Sequence, residues 1–373
     1  VSERRFAVIT GGGTASGAFM ALAVAEALTQ RGHARSEITL VGSSRGQESL
    51  LLADSGFPLQ FLSGRGIARR LDVRTSARNA AALLGLFWAT LRAGAALVRR
   101  RPRVVVSVGG YASLPAGLSA LALGVPLVNV TVDAVPGATS RLLGRFARAN
   151  AITFPGTRLP RAVVTGAPVR GDVHAVSRSA DEVAAARAAL GLSADRALVA
   201  IVGGSLGAGR LNEAARALAD DWAERDDLSV LHATGRRNFE AAAAAAVRPG
   251  ALEYKVVPFI DDVPSLYAAA DVVVCRAGAV TVAELAVAGV PAILVPLPGA
   301  PGDHQTHNAR ILADAGAAVV VTDEECTGER LAQLLEPLLA DPVGLSAMAA
   351  SARGLGRPNA AARVAELVEI HAA

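Results

Sequence analysis

The sequence predicts an α/β protein made of two doubly wound domains, each a parallel sheet covered by helices on both faces. Three observations carry this. Short apolar runs alternate with helical apolar spacing along the whole chain. Two separate series of this kind open the same way, with a strand, a glycine-rich loop and a helix. The 373 residues also suit two domains, at roughly 100–200 residues each.

In the first series, residues 6–10 form a buried-strand run ending in glycines, and 19–30 follow with helical spacing. Strands are then expected at 38–42, 104–108, 127–132, 151–154 and 163–165. The second series places strands at 198–202, 230–233, 254–257, 272–275, 292–295 and 318–321, with helices between. The turn residues Gly166, Ala167 and Pro168 mark the boundary. This gives a first domain at 1–165 and a second at 166–354, with a last helical stretch at 355–373 that could pack on either, the first being the candidate.

Composition excludes several classes. Hydrophobic residues are 52% and charged residues 19%, so enough apolar surface exists to offset chain entropy and disorder is not expected. Aromatics are 4%, which leaves Ala, Leu and Val to build the core. The two cysteines, Cys275 and Cys326, exclude a disulfide scaffold and a cysteine zinc site, and no metal is expected. The opening residues run straight into a strand, so no signal peptide and a cytoplasmic setting are expected.

Charge divides where the fold does. Residues 1–170 hold 21 arginines and seven acids, a net of +14, and the rest of the chain carries a net of −10. A basic half attracts anionic partners. The uncharged stretch 104–132 is broken by Gly109, Gly110, Pro115, Gly117, Gly124 and Pro126, so it suits a strand–loop–helix–strand unit and not a membrane span. Residues 83–98 are apolar apart from Arg92. Arg65, Arg69, Arg70, Arg74 and Arg78 precede them, and Arg99, Arg100, Arg101 and Arg103 follow. An apolar helix between arginines is suited to rest on an anionic membrane surface. Interleaved aromatics are absent, so nucleic acid is not an expected partner.

Three glycine loops follow predicted strands: Gly11, Gly12, Gly13 and Thr14; Gly109, Gly110 and Tyr111; and Gly203, Gly204, Ser205 and Gly207. Glycine lets the backbone approach a phosphate, and the helix that follows adds a favourable dipole. A nicotinamide cofactor does not fit, because the second strand ends Val41, Gly42, Ser43, Ser44 without an acid for a ribose. No cofactor is expected. The best site candidate is 275–284, where a strand, a glycine turn and a helix starting near Thr281 place Glu284 in the first helical turn. A carboxylate there can accept two sugar hydroxyls. Gln305 and Asn308 open a later helix, one turn apart.

The second half resembles the donor domain of the MurG family, peripheral-membrane N-acetylglucosaminyltransferases of peptidoglycan synthesis. Residues 203–212 (GGSLGAGRLN), 259–262 (FIDD), 271–284 (DVVVCRAGAVTVAE) and 303–309 (DHQTHNA) carry the resemblance, with 8–14, 21–27, 109–111 and 134–137 in the first half. The resemblance implies two Rossmann-like domains of the GT-B type facing a cleft. It implies a UDP-N-acetylglucosamine donor, a lipid-linked muramyl-pentapeptide acceptor and a place on the cytoplasmic face of the cell membrane. By position it implies Gly204 and Ser205 at the donor pyrophosphate and Ile260 at the uracil. Arg170 would lie near the nucleotide, and Arg276 would support the uracil end. Val280 and Thr281 would lie at the pyrophosphate, Glu284 at the ribose, and Gln305 and Asn308 at the sugar.

The departures fall on the acceptor side. Gly17 stands where the family has a histidine, and Val130, Thr131, Val132 and Asp133 stand where it has His-Glu-Gln-Asn. Inverting displacement needs a base opposite the leaving group. Asp133 is the one acid near that stretch, so it is the candidate base or acceptor anchor, set against a role as cap of the next helix. The expected function is N-acetylglucosaminyl transfer. A different acceptor for the same donor, or a non-catalytic UDP-sugar-binding scaffold, are the alternatives.

Overall fold

A computed structural model of the chain describes residues 5–12, 15–43, 52–62, 73–110, 112–204, 207–245 and 250–373. The chain divides into two compact units: Val1–Arg170 with Pro358–Ala373, and Gly171–Arg357. The division falls at Arg170, a little beyond the expected boundary at Gly166–Pro168.

The first unit holds a seven-stranded sheet in the order β3-β2-β1-β4-β5-β6-β7. Its strands are β1 (Ala7–Gly12), β2 (Ile38–Ser43), β3 (Leu59–Leu62), β4 (Val104–Gly110), β5 (Leu127–Thr131), β6 (Ala149–Ile152) and β7 (Ala162–Val164). Every pair is parallel. Parallel strands buried on both faces need near-continuous apolar runs, and Val104, Val105 and Val106 are buried without interruption. The sequence reading omitted β3. In the structure β6 ends at Ile152, two residues before the expected end.

A helix at Ala360–His371 completes this unit. Val364, Ala365 and Val368 bury one face of it, and it packs on the helix Ala15–Gln30. Glu369 fixes the register. It accepts from Arg31 Nε at 2.7 Å and lies 2.9 Å from His33 Nε2. His33 in turn stacks on Phe6 at 3.6 Å between ring centroids. The arginine and histidine hold the Glu369 carboxyl below the usual carboxylate range.

The second unit holds a six-stranded sheet in the order β10-β9-β8-β11-β12-β13. Its strands are β8 (Ala197–Val202), β9 (Leu228–Ala233), β10 (Glu253–Val257), β11 (Val272–Cys275), β12 (Ala292–Leu294) and β13 (Ala318–Val320), again all parallel. Its core is largely Val, Leu and Ala, with Trp222 as the large exception. Cys275 and Cys326 are free and buried. Burial pushes their thiols up to about 12 and about 11, so both stay protonated and inert near neutral pH.

Candidate active site

Each sheet reverses its winding at one point, between β1 and β4 in the first unit and between β8 and β11 in the second. In open parallel sheets the crevice outside the carboxyl ends of the strands at such a point is where ligands bind. Each switch point here carries two glycine turns. In the first unit Gly12 at the end of β1 is paired with Gly110 at the end of β4, so these glycines belong to the strands themselves. In the second unit Gly203 and Gly204 leave β8, and Arg276–Ala277–Gly278 leave β11.

Two helices start at the second switch point, Gly209–Asp221 and Ala279–Ala288. Neither N-cap, Ala208 or Gly278, supplies a capping side chain. First-turn amides without a side-chain cap form an anion site with the helix dipole behind it. Gly204, Val280 and Thr281 sit at these two starts; Ser205 lies outside the described residues, as do Gly13, Thr14, Tyr111, Arg65, Arg69 and Arg70.

A cavity of about 120 Å³ opens beside them, walled by Gly204, Ile260, Tyr267, Cys275, Thr281 and Glu284. Phe259 and Val263 also line it. Asp262, between them in sequence, caps the helix Val263–Ala269 by accepting from Ser265 N at 3.0 Å. Glu284 is not in the first turn of its helix as expected. The helix starts at Ala279, two residues early, and Glu284 is its sixth residue. The side chain is buried, and Oε2 accepts from the Tyr267 hydroxyl at 3.0 Å.

The other expected donor residues brace the loops. Arg276 pairs with Asp323 at 2.6 Å and donates to the carbonyls of Val295 and Pro296, both at 3.2 Å. Asn308 is fully buried and donates to Ala277 O at 3.2 Å, inside the glycine turn. Gln305 Oε1 accepts from Leu297 N at 3.0 Å and holds the loop that precedes its own helix. Arg170 is the last residue of the first unit, and its guanidinium lies 5.0 Å from the centre of the Phe19 ring.

Sequence reasoning missed a buried chain behind the glycine loop. Asn212, within the 203–212 motif, donates to Thr234 O at 3.0 Å. Its Oδ1 therefore accepts from His232 Nε2 at 3.1 Å, and His232 Nδ1 accepts from the Tyr254 hydroxyl at 2.8 Å. Burial lowers the imidazole to about 4 and keeps it neutral. The network ties the helix after the loop to the end of β9.

In the first unit a pair of buried hydroxyls joins the two glycine turns. Ser113 Oγ accepts from Thr10 Oγ1 at 3.1 Å and lies 2.8 Å from Thr10 O and 2.6 Å from Gly109 O. Asp133 stands half-buried in the turn after β5. It does not cap the next helix, Ala138–Gly144, whose N-cap is Gly137. Among the described residues it is the only carboxylate on a turn that leaves a strand of this sheet. Gly17, at the family histidine position, lies buried in the helix after β1.

The glycosyltransferase family 28 N-terminal domain matches residues 7–152, and the family 28 C-terminal domain matches 198–364. A protein of Alkalilimnicola ehrlichii is 41% identical over 361 residues, covering 96% of this chain and 97% of its own. One of Frankia casuarinae is 38% identical over 369 residues, covering 99% and 96%. Both are named UDP-N-acetylglucosamine–N-acetylmuramyl-(pentapeptide) pyrophosphoryl-undecaprenol N-acetylglucosamine transferase. The crystal structure of Acinetobacter baumannii MurG matches with a TM-score of 0.77 and 33% identity, covering 98% of this chain and 99% of that one. On this evidence the chain belongs to the MurG family of glycosyltransferases.

Proposed function

We infer that this chain is an inverting glycosyltransferase that moves N-acetylglucosamine from UDP-N-acetylglucosamine to undecaprenyl-pyrophosphoryl-N-acetylmuramyl-pentapeptide. The observation that carries this is near full-length identity to enzymes so named, with a donor-side motif set that is complete in this sequence. Under this reading the UDP pyrophosphate takes the amides at Gly204 and at the start of the helix Ala279–Ala288. Those amides and helix dipoles stabilise the charge that develops on the departing UDP. The base takes the cavity wall at Ile260, and the ribose takes Glu284.

The acceptor 4-hydroxyl oxygen forms the new bond to the anomeric carbon. The bond from that carbon to the phosphate oxygen breaks, and UDP leaves with the electron pair. Asp133 accepts the hydroxyl proton. Gly17 makes the first helix unable to supply the family's imidazole there.

Peripheral attachment to the cytoplasmic face of the membrane belongs to the same reading. Among the described residues no helix is long and apolar enough to cross a membrane. The helix Val73–Arg100 instead exposes Leu84 (64%), Phe87 (57%), Trp88 (60%) and Leu91 (48%), spaced as one face. It ends in Arg99 and Arg100, with Arg101 and Arg103 just beyond. Apolar side chains entering the headgroup layer beside arginines are the elements of interfacial binding. Phe87→Ser with Trp88→Ser is expected to weaken sedimentation with phosphatidylglycerol vesicles at least tenfold, at about 1.5–3 kcal/mol per buried apolar side chain. Unchanged sedimentation would move the attachment surface elsewhere.

The function is tested by sugar transfer from labelled UDP-N-acetylglucosamine to a short-chain lipid-linked muramyl-pentapeptide in detergent. Transfer is expected. UDP-N-acetylglucosamine binding without transfer would point to another acceptor or to a scaffold, the alternatives raised by the departures at Gly17 and 130–133.

A further inference from the structure

We propose that Tyr267 is a positioning residue that holds Glu284 in the orientation in which its carboxylate reads a ribose. The proposal rests on the reading of Glu284 as the ribose carboxylate. The geometry that carries it is the 3.0 Å hydrogen bond from the Tyr267 hydroxyl to Glu284 Oε2, between side chains that wall the same cavity.

Tyr267 is 3% exposed and Glu284 8%. A buried carboxylate is costly unless hydrogen-bonded. A glutamate also has a long, rotatable stem. A fixed donor on one oxygen removes that freedom and turns the carboxylate plane, so that hydroxyls arriving from the cavity meet a preset acceptor. A carboxylate offers about four acceptor sites, and the tyrosine uses one.

The tyrosine is itself held in place. Its helix, Val263–Ala269, has seven residues and is too short to be stable alone. Asp262 caps its start. At its end Arg178 donates to the carbonyls of Tyr267 and Ala268, and Arg187 donates to Ala269 O at 3.2 Å. Arg187 is in turn paired with Asp271 at 2.7 Å. The buried Arg187 and the half-buried Arg178 on the C-terminal carbonyls thus set where the phenol oxygen lies. The Cys275 wall beside Glu284 remains a neutral thiol and does not compete for hydroxyl donors.

The test compares UDP with 2′-deoxy-UDP on the full chain by calorimetry, in wild type, Tyr267→Phe and Glu284→Gln. A site built to bond a hydroxyl rejects the analogue that lacks it, so wild type should prefer UDP by tenfold or more. Tyr267→Phe keeps the ring and removes only the donor. It should lower UDP affinity on the order of tenfold and narrow the preference to about twofold. The KM for UDP-N-acetylglucosamine should rise while kcat stays within about twofold, because the bond serves ground and transition states alike. The double variant should be no weaker than Glu284→Gln alone.

If Glu284→Gln keeps the wild-type preference, the ribose reading of Glu284 fails. If Glu284→Gln loses the preference and Tyr267→Phe keeps it, the positioning role of Tyr267 fails while that reading stands. A Tyr267→Phe protein that does not fold makes the bond a fold element, and one that loses kcat at unchanged KM places the bond in the chemical step; either result overturns the proposal.

Discussion

Asp133→Asn is expected to lower kcat by about 10²–10⁴-fold, the usual contribution of a general base, with KM for both substrates within about threefold. The substitution keeps size and hydrogen-bonding shape and removes only the capacity to take a proton. The N-cap of the next helix is Gly137 and not Asp133. The turn is also held from both sides. Asn129, in the middle of β5, donates to Asn150 Oδ1 at 2.8 Å and to Thr131 Oγ1, at the strand end, at 3.1 Å, and Thr157 donates to Ala134 O at 3.3 Å. Stopped-flow or steady-state turnover on the short-chain acceptor measures the effect, with Asp133→Glu as the variant that keeps a carboxylate. Turnover within twofold of wild type would assign proton acceptance to another group, and Asp133 would then have no part in the chemical step.

Gly207→Ala is the second large effect. Gly207 has a φ of +76°, which L-residues adopt at a cost of about 1–2 kcal/mol. A Cβ there would lie 2.3 Å from Thr234 O and 2.3 Å from Asn238 Nδ2. Thr234 O already accepts from Asn212 at 3.0 Å and from Asn238 at 3.3 Å. The carbonyl cannot yield without disturbing the ties that set the helix start at Gly209. Strain and displacement together should cost on the order of 3 kcal/mol. This appears as a KM for UDP-N-acetylglucosamine raised about 100-fold, and a melting temperature lower by about 6 °C or more. Gly204→Ala is the control. Its φ is +80°, yet no atom lies within 4 Å of the added carbon, so only the backbone term of about 1–2 kcal/mol remains. Equal effects at the two positions would remove the crowding argument.

The sequence was most informative where one kind of residue had one reason to be present. Apolar runs leading into glycine mark β1, β4 and β8, because buried parallel strands need continuous apolar faces and the turns at their ends need room. β3 escaped because Leu59–Leu62 is an edge strand of four residues that includes Gln60. The helix Val73–Arg100 begins ten residues before the apolar stretch that announced it, in the polar sequence Val-Arg-Thr-Ser-Ala-Arg-Asn. Glu284, Gln305 and Asn308 could be named as candidates from the sequence, but their hydrogen-bond partners could not. A carbonyl such as Ala277 O, or a phenol such as Tyr267 placed by two distant arginines, is specified by tertiary packing that no local spacing encodes. Tyr267 did carry one signal, its place in the short helix capped by the Asp262 of the 259–262 motif.

The chain leaves the first unit at Arg170 and re-enters it at Pro358. The second unit is therefore an insertion within the first, joined to it by two peptide connections. Synthesis runs from N- to C-terminus, so the helix Ala360–His371 leaves the ribosome only after the whole second unit has emerged. The inserted unit has all its strands at hand and can fold during translation, while the first sheet must wait with one flank of Ala15–Gln30 uncovered. A chain truncated at Arg357 would release a complete second unit attached to an unfinished first one. Truncation there should thus show itself first as capture of the first unit by chaperones and not as loss of UDP binding.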